Sequence, residues 1–149
     1  MNNSLIKLFC TILIFSQFLK SINADILSTN GIIEALNIRI IRNGINNTKP
    51  ENFSNIAMKL YVFEKDENNN LIEVYKGEKT SVLGYNALPL CMHYAIFHMS
   101  IKERVMLDCP AKWGFKDNHL PFFQELKTNK DYIIDLQLWN IGDIYTLVE

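Results

Sequence analysis

A period of two is the strongest constraint on this 149-residue chain. In the segment 132–141, Ile134, Leu136 and Leu138 alternate with Asp135 and Gln137, and in 103–109 the apolar set is Val105, Leu107 and Cys109. Segments 36–42 (Leu-Asn-Ile-Arg-Ile-Ile-Arg) and 56–63 repeat the pattern, the second with Met58, Leu60 and Val62 on one side and Lys59, Tyr61 and Phe63 on the other. Successive side chains of an extended chain point to opposite faces, so each segment predicts a strand with one face on a core. Asp135 and Gln137 are expected on the outer face. A shorter strand is expected at 71–75, with turns at Asn43–Gly44, at 66–70 and at 76–79. Leu88, Met92, Ala95 and Ile96 recur at helical spacing instead, and Pro89 fits only a first turn, which places the helix start at about Leu88. One short helix among several strands predicts an α+β domain, a twisted antiparallel β-sheet wrapped around one short α-helix.

The first residues read as an export signal. Lys7 precedes an apolar run from Leu8 to Leu19, and Ala24 offers a small residue for cleavage before Asp25. That run is short of the roughly 20 residues a membrane span needs, which favours a cleaved signal over an uncleaved anchor, the rival reading, and no integral membrane segment is expected after cleavage. The formal charge of −1 becomes about −3 once Lys7 and Lys20 leave with the signal, and no basic cluster is present, which argues against nucleic acid. Cys91 and Cys109 remain after cleavage: an oxidising compartment favours their disulfide, and burial as two free thiols is the other reading. Asn46 and Asn52 each open an Asn-x-Ser/Thr acceptor pattern for glycosylation, unless neither is used. The segment 66–70 begins with an acid but lacks the glycine and late glutamate of a calcium loop, so a solvated hairpin is expected. His93, His98 and His119 show no metal-ligand spacing, and no metal or cofactor is expected.

The order of parts in the last third resembles the FKBP-type immunophilins, the peptidyl-prolyl isomerases. Met99–Ser100–Ile101–Lys102–Glu103–Arg104 stands where that family has a Met-Ser/Pro-x-Gly-x-Arg turn before a core strand. Pro110 and Trp113–Gly114–Phe115 follow where it has a Pro-containing segment ending in Leu-Gly-Tyr, and Asp135 falls on the Asp of its closing strand. Leu83–Gly84 precedes Met99 by the family interval. The likeness covers 36–141; 1–24 is the expected signal, 25–35 a lead-in and 142–149 a short tail.

The resemblance implies rotation about X-Pro bonds, whose barrier of about 18–20 kcal/mol comes from amide resonance. Such chemistry needs no nucleophile or metal, only a dry apolar pocket that favours the twisted amide. Carried over by position, the pocket takes Leu88 and Pro89 at the helix start, Met92 on the floor where Trp is usual, Phe115 where Tyr is usual and Ile134 in place of a wall Phe. Tyr61 falls on the family's strand Tyr, with Ile72 and Glu73 where Phe-Asp is usual, and Trp113, Leu120 and Phe122 form a rim. The replaced floor, wall and hydroxyl donor imply weak or absent isomerase activity. Two functions follow: an isomerase of the secretory pathway acting on proline-containing peptides or proteins, or a non-catalytic secreted module that binds them. A monomer is expected, secreted or in the ER lumen; the ending Tyr145–Glu149 does not match the retention tetrapeptide, which favours export.

Overall fold

In the computed structural model, residues 34–84, 88–115 and 123–142 are described, and all but Glu34 fall in a compact unit spanning Ala35–Glu149. The expected signal at 1–24, the start of the lead-in and most of the tail lie outside the described residues. Five strands form one sheet: β1 (Arg39–Arg42), β2 (Asn55–Lys65), β3 (Leu71–Val82), β4 (Arg104–Cys109) and β5 (Tyr132–Ile141), in the order β1-β4-β5-β2-β3. Every neighbouring pair is antiparallel. A nine-residue helix, α1 (Leu90–His98), joins β3 to β4. The α+β architecture expected from the sequence is the one observed.

The alternation in the central strands does what the sequence predicts. Met58 pairs with Leu138, Leu60 with Leu136 and Val62 with Ile134. Leu107 also pairs with Ile134, and Val105 with Leu136. All these side chains are buried. α1 adds Cys91, Met92, Ala95 and Ile96 to the same core. A helix of nine residues is marginal alone, so α1 depends on this burial and on the disulfide between Cys91 and Cys109 in β4.

Three sequence expectations need correction, and Asp135 lies on its expected outer face but is buried there. The helix begins at Leu90, with Pro89 outside it as the N-cap at ψ 144°, because the extended backbone of Pro89 sits half out of the helix. The strand at 36–42 is shorter and wetter than its pattern suggests. Residues 34–36 are helical, Asn37 turns the chain at φ 41°, and Ile40 and Ile41 are 60% and 53% exposed, since β1 is an edge strand paired only with β4. The turn expected at 76–79 is uninterrupted strand, because β2 is long enough to pair with it: Lys76, Gly77, Glu78 and Lys79 lie opposite Tyr61, Leu60, Lys59 and Met58. Asp135 is only 6% exposed. Arg104 covers it with two hydrogen bonds, Nε to Oδ1 at 2.8 Å and Nη2 to Oδ2 at 2.6 Å, an arrangement that raises the Arg104 pKa.

The turns at 66–70 and 99–104 are built by side chains. Asp66 Oδ1 accepts hydrogen bonds from the backbone N–H groups of Asn68 and Asn70, and Oδ2 from the Asn70 side chain. These bonds hold the Asp66 carboxyl below its usual pKa and fill the carboxylate with amide donors. Before β4, Glu103 Oε2 accepts from Ser100 N–H at 2.7 Å and Lys102 takes φ 66°. That left-handed conformation is where the family pattern has Gly, and a lysine there carries a steric cost. Its ammonium sits 3.5 Å above the Trp139 ring centroid, a partial compensation.

Candidate functional site

The sheet side covered by α1 is where a proline pocket of the expected kind has to be. Met92 and Ile134 are fully buried, Phe115 is 2% exposed and Leu88 6%, and Pro89 is buried as well. Phe115 lies edge-on to Tyr132 at 5.1 Å between centroids and to Phe123 at 5.7 Å. Phe123 in turn meets Tyr75 at 5.7 Å. These rings form one edge-to-face cluster, the arrangement aromatic quadrupoles prefer. The Tyr132 hydroxyl accepts from Lys127 N–H and donates to Lys127 O, and burial raises its pKa, so it stays a neutral donor pinned to the loop. Of this cluster the sequence-derived pocket included Phe115 alone; Tyr75, Phe123 and Tyr132 complete it. Alternation in β5 placed Tyr132 inward, whereas Tyr75 looked like the last residue before a turn.

The remaining pocket candidates are not brought to this cluster. Tyr61 pairs with Asp135, one residue out of phase with the inward Leu60 and Val62, and Lys76 Nζ lies 5.2 Å from its ring centroid. Tyr61 is thus on the outer face, beside the Arg104–Asp135 pair. Ile72 is 51% exposed, and Glu73 is exposed on edge strand β3 opposite Phe63. The sequence grouping of Tyr61, Ile72 and Glu73 with Met92 fails because the strand parity and the β3 edge position separate them.

At the expected rim, Trp113 closes a 3-10 turn, Ala111–Trp113, and its indole N–H is buried with no hydrogen-bond partner among the described residues. Leu120 and Phe122 lie outside the described residues. Behind the turn, Gly114 packs against the disulfide so closely that a Cβ there would sit 2.5 Å from Cys109 Sγ. Asn46 and Asn52 are exposed on the loop between β1 and β2, where Thr48 Oγ1 donates to Asn46 O at 3.0 Å. Among the described residues, no group of three His, Cys, Asp or Glu side chains is placed to hold a metal ion. A cleft of about 530 Å³ includes Lys65, Asp108, Lys130, Asp131 and Tyr132 in its lining, and a groove of about 370 Å³ includes Lys59, Glu78, Thr80 and Trp139. Neither contains a predicted pocket residue.

By sequence, no protein family description and no curated protein matches the chain. By structure, it is similar to a multi-domain immunophilin from Arabidopsis thaliana, with a TM-score of 0.57 and 12% identity over 71% of this chain and 42% of that one. It is likewise similar to the three FKBP domains of wheat FKBP73, with a TM-score of 0.56 and 11% identity over 71% of this chain and 46% of that one. This chain thus spans less than half the length of either structure. The fold is FKBP-like.

Proposed function

We propose that this FKBP-like domain is a non-catalytic module that binds proline-containing peptides or proteins. The observation that carries the reading is the closed state of Met92, Phe115 and Ile134, which stand at the floor and walls of the expected pocket and are instead packed core. A twisted X-Pro amide needs an apolar cavity to enter and a donor to meet it. Phe115 offers no hydroxyl, and Tyr61 is on the other side of the sheet. A proline-peptide isomerisation assay tests this directly. A rate equal to that of buffer is expected, and acceleration that Phe115→Ala abolishes while the fold persists overturns the non-catalytic reading.

Binding is assigned to the rim beside Trp113. Its indole N–H has no hydrogen-bond partner among the described residues, and a peptide carbonyl is a suitable acceptor. Titration of a proline-containing peptide followed by Trp fluorescence should show binding that Trp113→Phe weakens, with far-UV circular dichroism unchanged; binding indifferent to that exchange removes the rim from the proposal.

We further place the module in the secretory pathway, on the strength of Lys7, the apolar run from Leu8 to Leu19 and the Cys91–Cys109 disulfide. Expression in a eukaryotic secretory host should yield a chain beginning at Asp25 and carrying endoglycosidase-sensitive mass on Asn46 or Asn52. Retention of residues 1–24 in a cytosolic product rejects that placement.

A further inference from the structure

The two edges of the sheet are unequal. β1 offers four residues, two of them arginines, and short charged edges resist pairing with other chains. β3 offers twelve residues without proline. Among the described residues no strand lies beyond it, so every other N–H and C=O points away from β2 as a template for a further strand. Its ladder with β2 is regular from Tyr75 to Val82, and Val74 is the extra residue where the register shifts.

The charge order of that regular stretch reads as its own complement. Lys76 and Glu78 lie on the outer face, Tyr75 and Lys79 on the helix-covered face, and Gly77 is the midpoint. We propose that β3 pairs antiparallel with β3 of a second copy of this chain about a two-fold axis at Gly77. Each Lys76 then lies opposite the second copy's Glu78, and each Tyr75 opposite the second copy's Lys79. Glu78 is available for this, since its contact with Lys59 at 3.6 Å leaves the Glu78 side chain 77% exposed. Lys79 already lies 5.4 Å from its own Tyr75 ring, so the cross-copy contact repeats an attraction present within the chain. Two glycines meet at the axis, where no side chain obstructs the approach, and each is roofed by its own Tyr75.

The register is also defended. Pairing can slip only in steps of two, because a slip of one puts opposed side chains on different faces. One step in either direction sets Lys76 against Lys76 or Glu78 against Glu78, and directly opposed like charges destabilise a pair. The contact is isologous and closes at two copies. This departs from the monomer expected from the sequence, and it is independent of whether the domain binds peptides.

Sedimentation velocity of the purified chain over a wide concentration range tests the proposal. A reversible monomer–dimer equilibrium is expected. Lys76→Glu and Glu78→Lys should each weaken the dimer at least about tenfold, with unchanged far-UV circular dichroism. The double variant K76E/E78K should restore it, and an equimolar mixture of the two single variants should form the mixed dimer. A chain monomeric at every concentration overturns the proposal, even if the edge accepts an unrelated extended peptide. So does a dimer that ignores both single reversals, or single variants that the double exchange fails to rescue.

Discussion

The two faces of the β2–β5 ladder are made by neighbouring residues and have opposite characters. On the covered face, Leu60 and Leu136 meet under α1 among residues with no exposure. On the outer face, one position along, Tyr61 and Asp135 meet beside Arg104 and Lys76. The residues that resembled a proline pocket are divided between these faces. Met92, Phe115 and Ile134 went to the first and became core, while Tyr61 went to the second and became part of a polar array. A pocket needs its walls on one side of the sheet, and this division leaves Tyr61 on the face opposite Met92, Phe115 and Ile134.

The largest expected effects test whether the covered face is core. Phe115→Ala should cost about 3–5 kcal/mol of stability in chemical denaturation, because it removes the ring that Phe123 and Tyr132 pack against. Tyr61→Ala, an exchange of similar size on the other face, should cost only about 1 kcal/mol. Equal costs would break the comparison. Replacing Cys91 and Cys109 together by Ala should cost about 3 kcal/mol, the loop-closure entropy of a crosslink spanning 18 residues, measured against reduction of the wild-type chain.

On the outer face, Asp135→Asn should cost about 2 kcal/mol, through the loss of a charge-assisted pair of hydrogen bonds to Arg104. The discount for Arg104 being partly exposed keeps this below the core effects. A loss under about half that size would mark the pair as solvent-screened decoration.

The smallest effect is a pH dependence. Burial beside Tyr94 and Phe97 lowers the His93 pKa from its ordinary 6.5. The folded state therefore favours neutral His93, and the stability linked to it is full above pH 6.5 and declines as pH falls through the depressed folded value. Denaturation midpoints across that window should flatten in His93→Gln relative to the wild type.

How much of this was legible beforehand depends on the range of the interaction involved. The turn at 66–70 was readable because Asp66 and the following asparagines satisfy one another within five residues. The strand through 76–79 was not, because Gly77 and its charged neighbours look like a turn until a long β2 supplies partners from Asn55 to Lys65. Asp135 was assigned to the outside by parity correctly, but its burial comes from Arg104, 31 positions earlier. Likewise Ile40 and Ile41 have the composition of core residues and lack only a covering element.

By itself, the sequence determined the central strands β2, β4 and β5, the helix and which residues share a side of each of these strands, because a period of two or of 3.6 is a property of the local backbone. Only the tertiary structure decided which side is covered, which strands are edges and which pocket candidates share a face. Those outcomes depend on strand order and on contacts between distant segments. Side chains alternate between the two faces along the regular stretch of β3 as they do along β2, but one strand lies between partners and the other at the margin of the sheet.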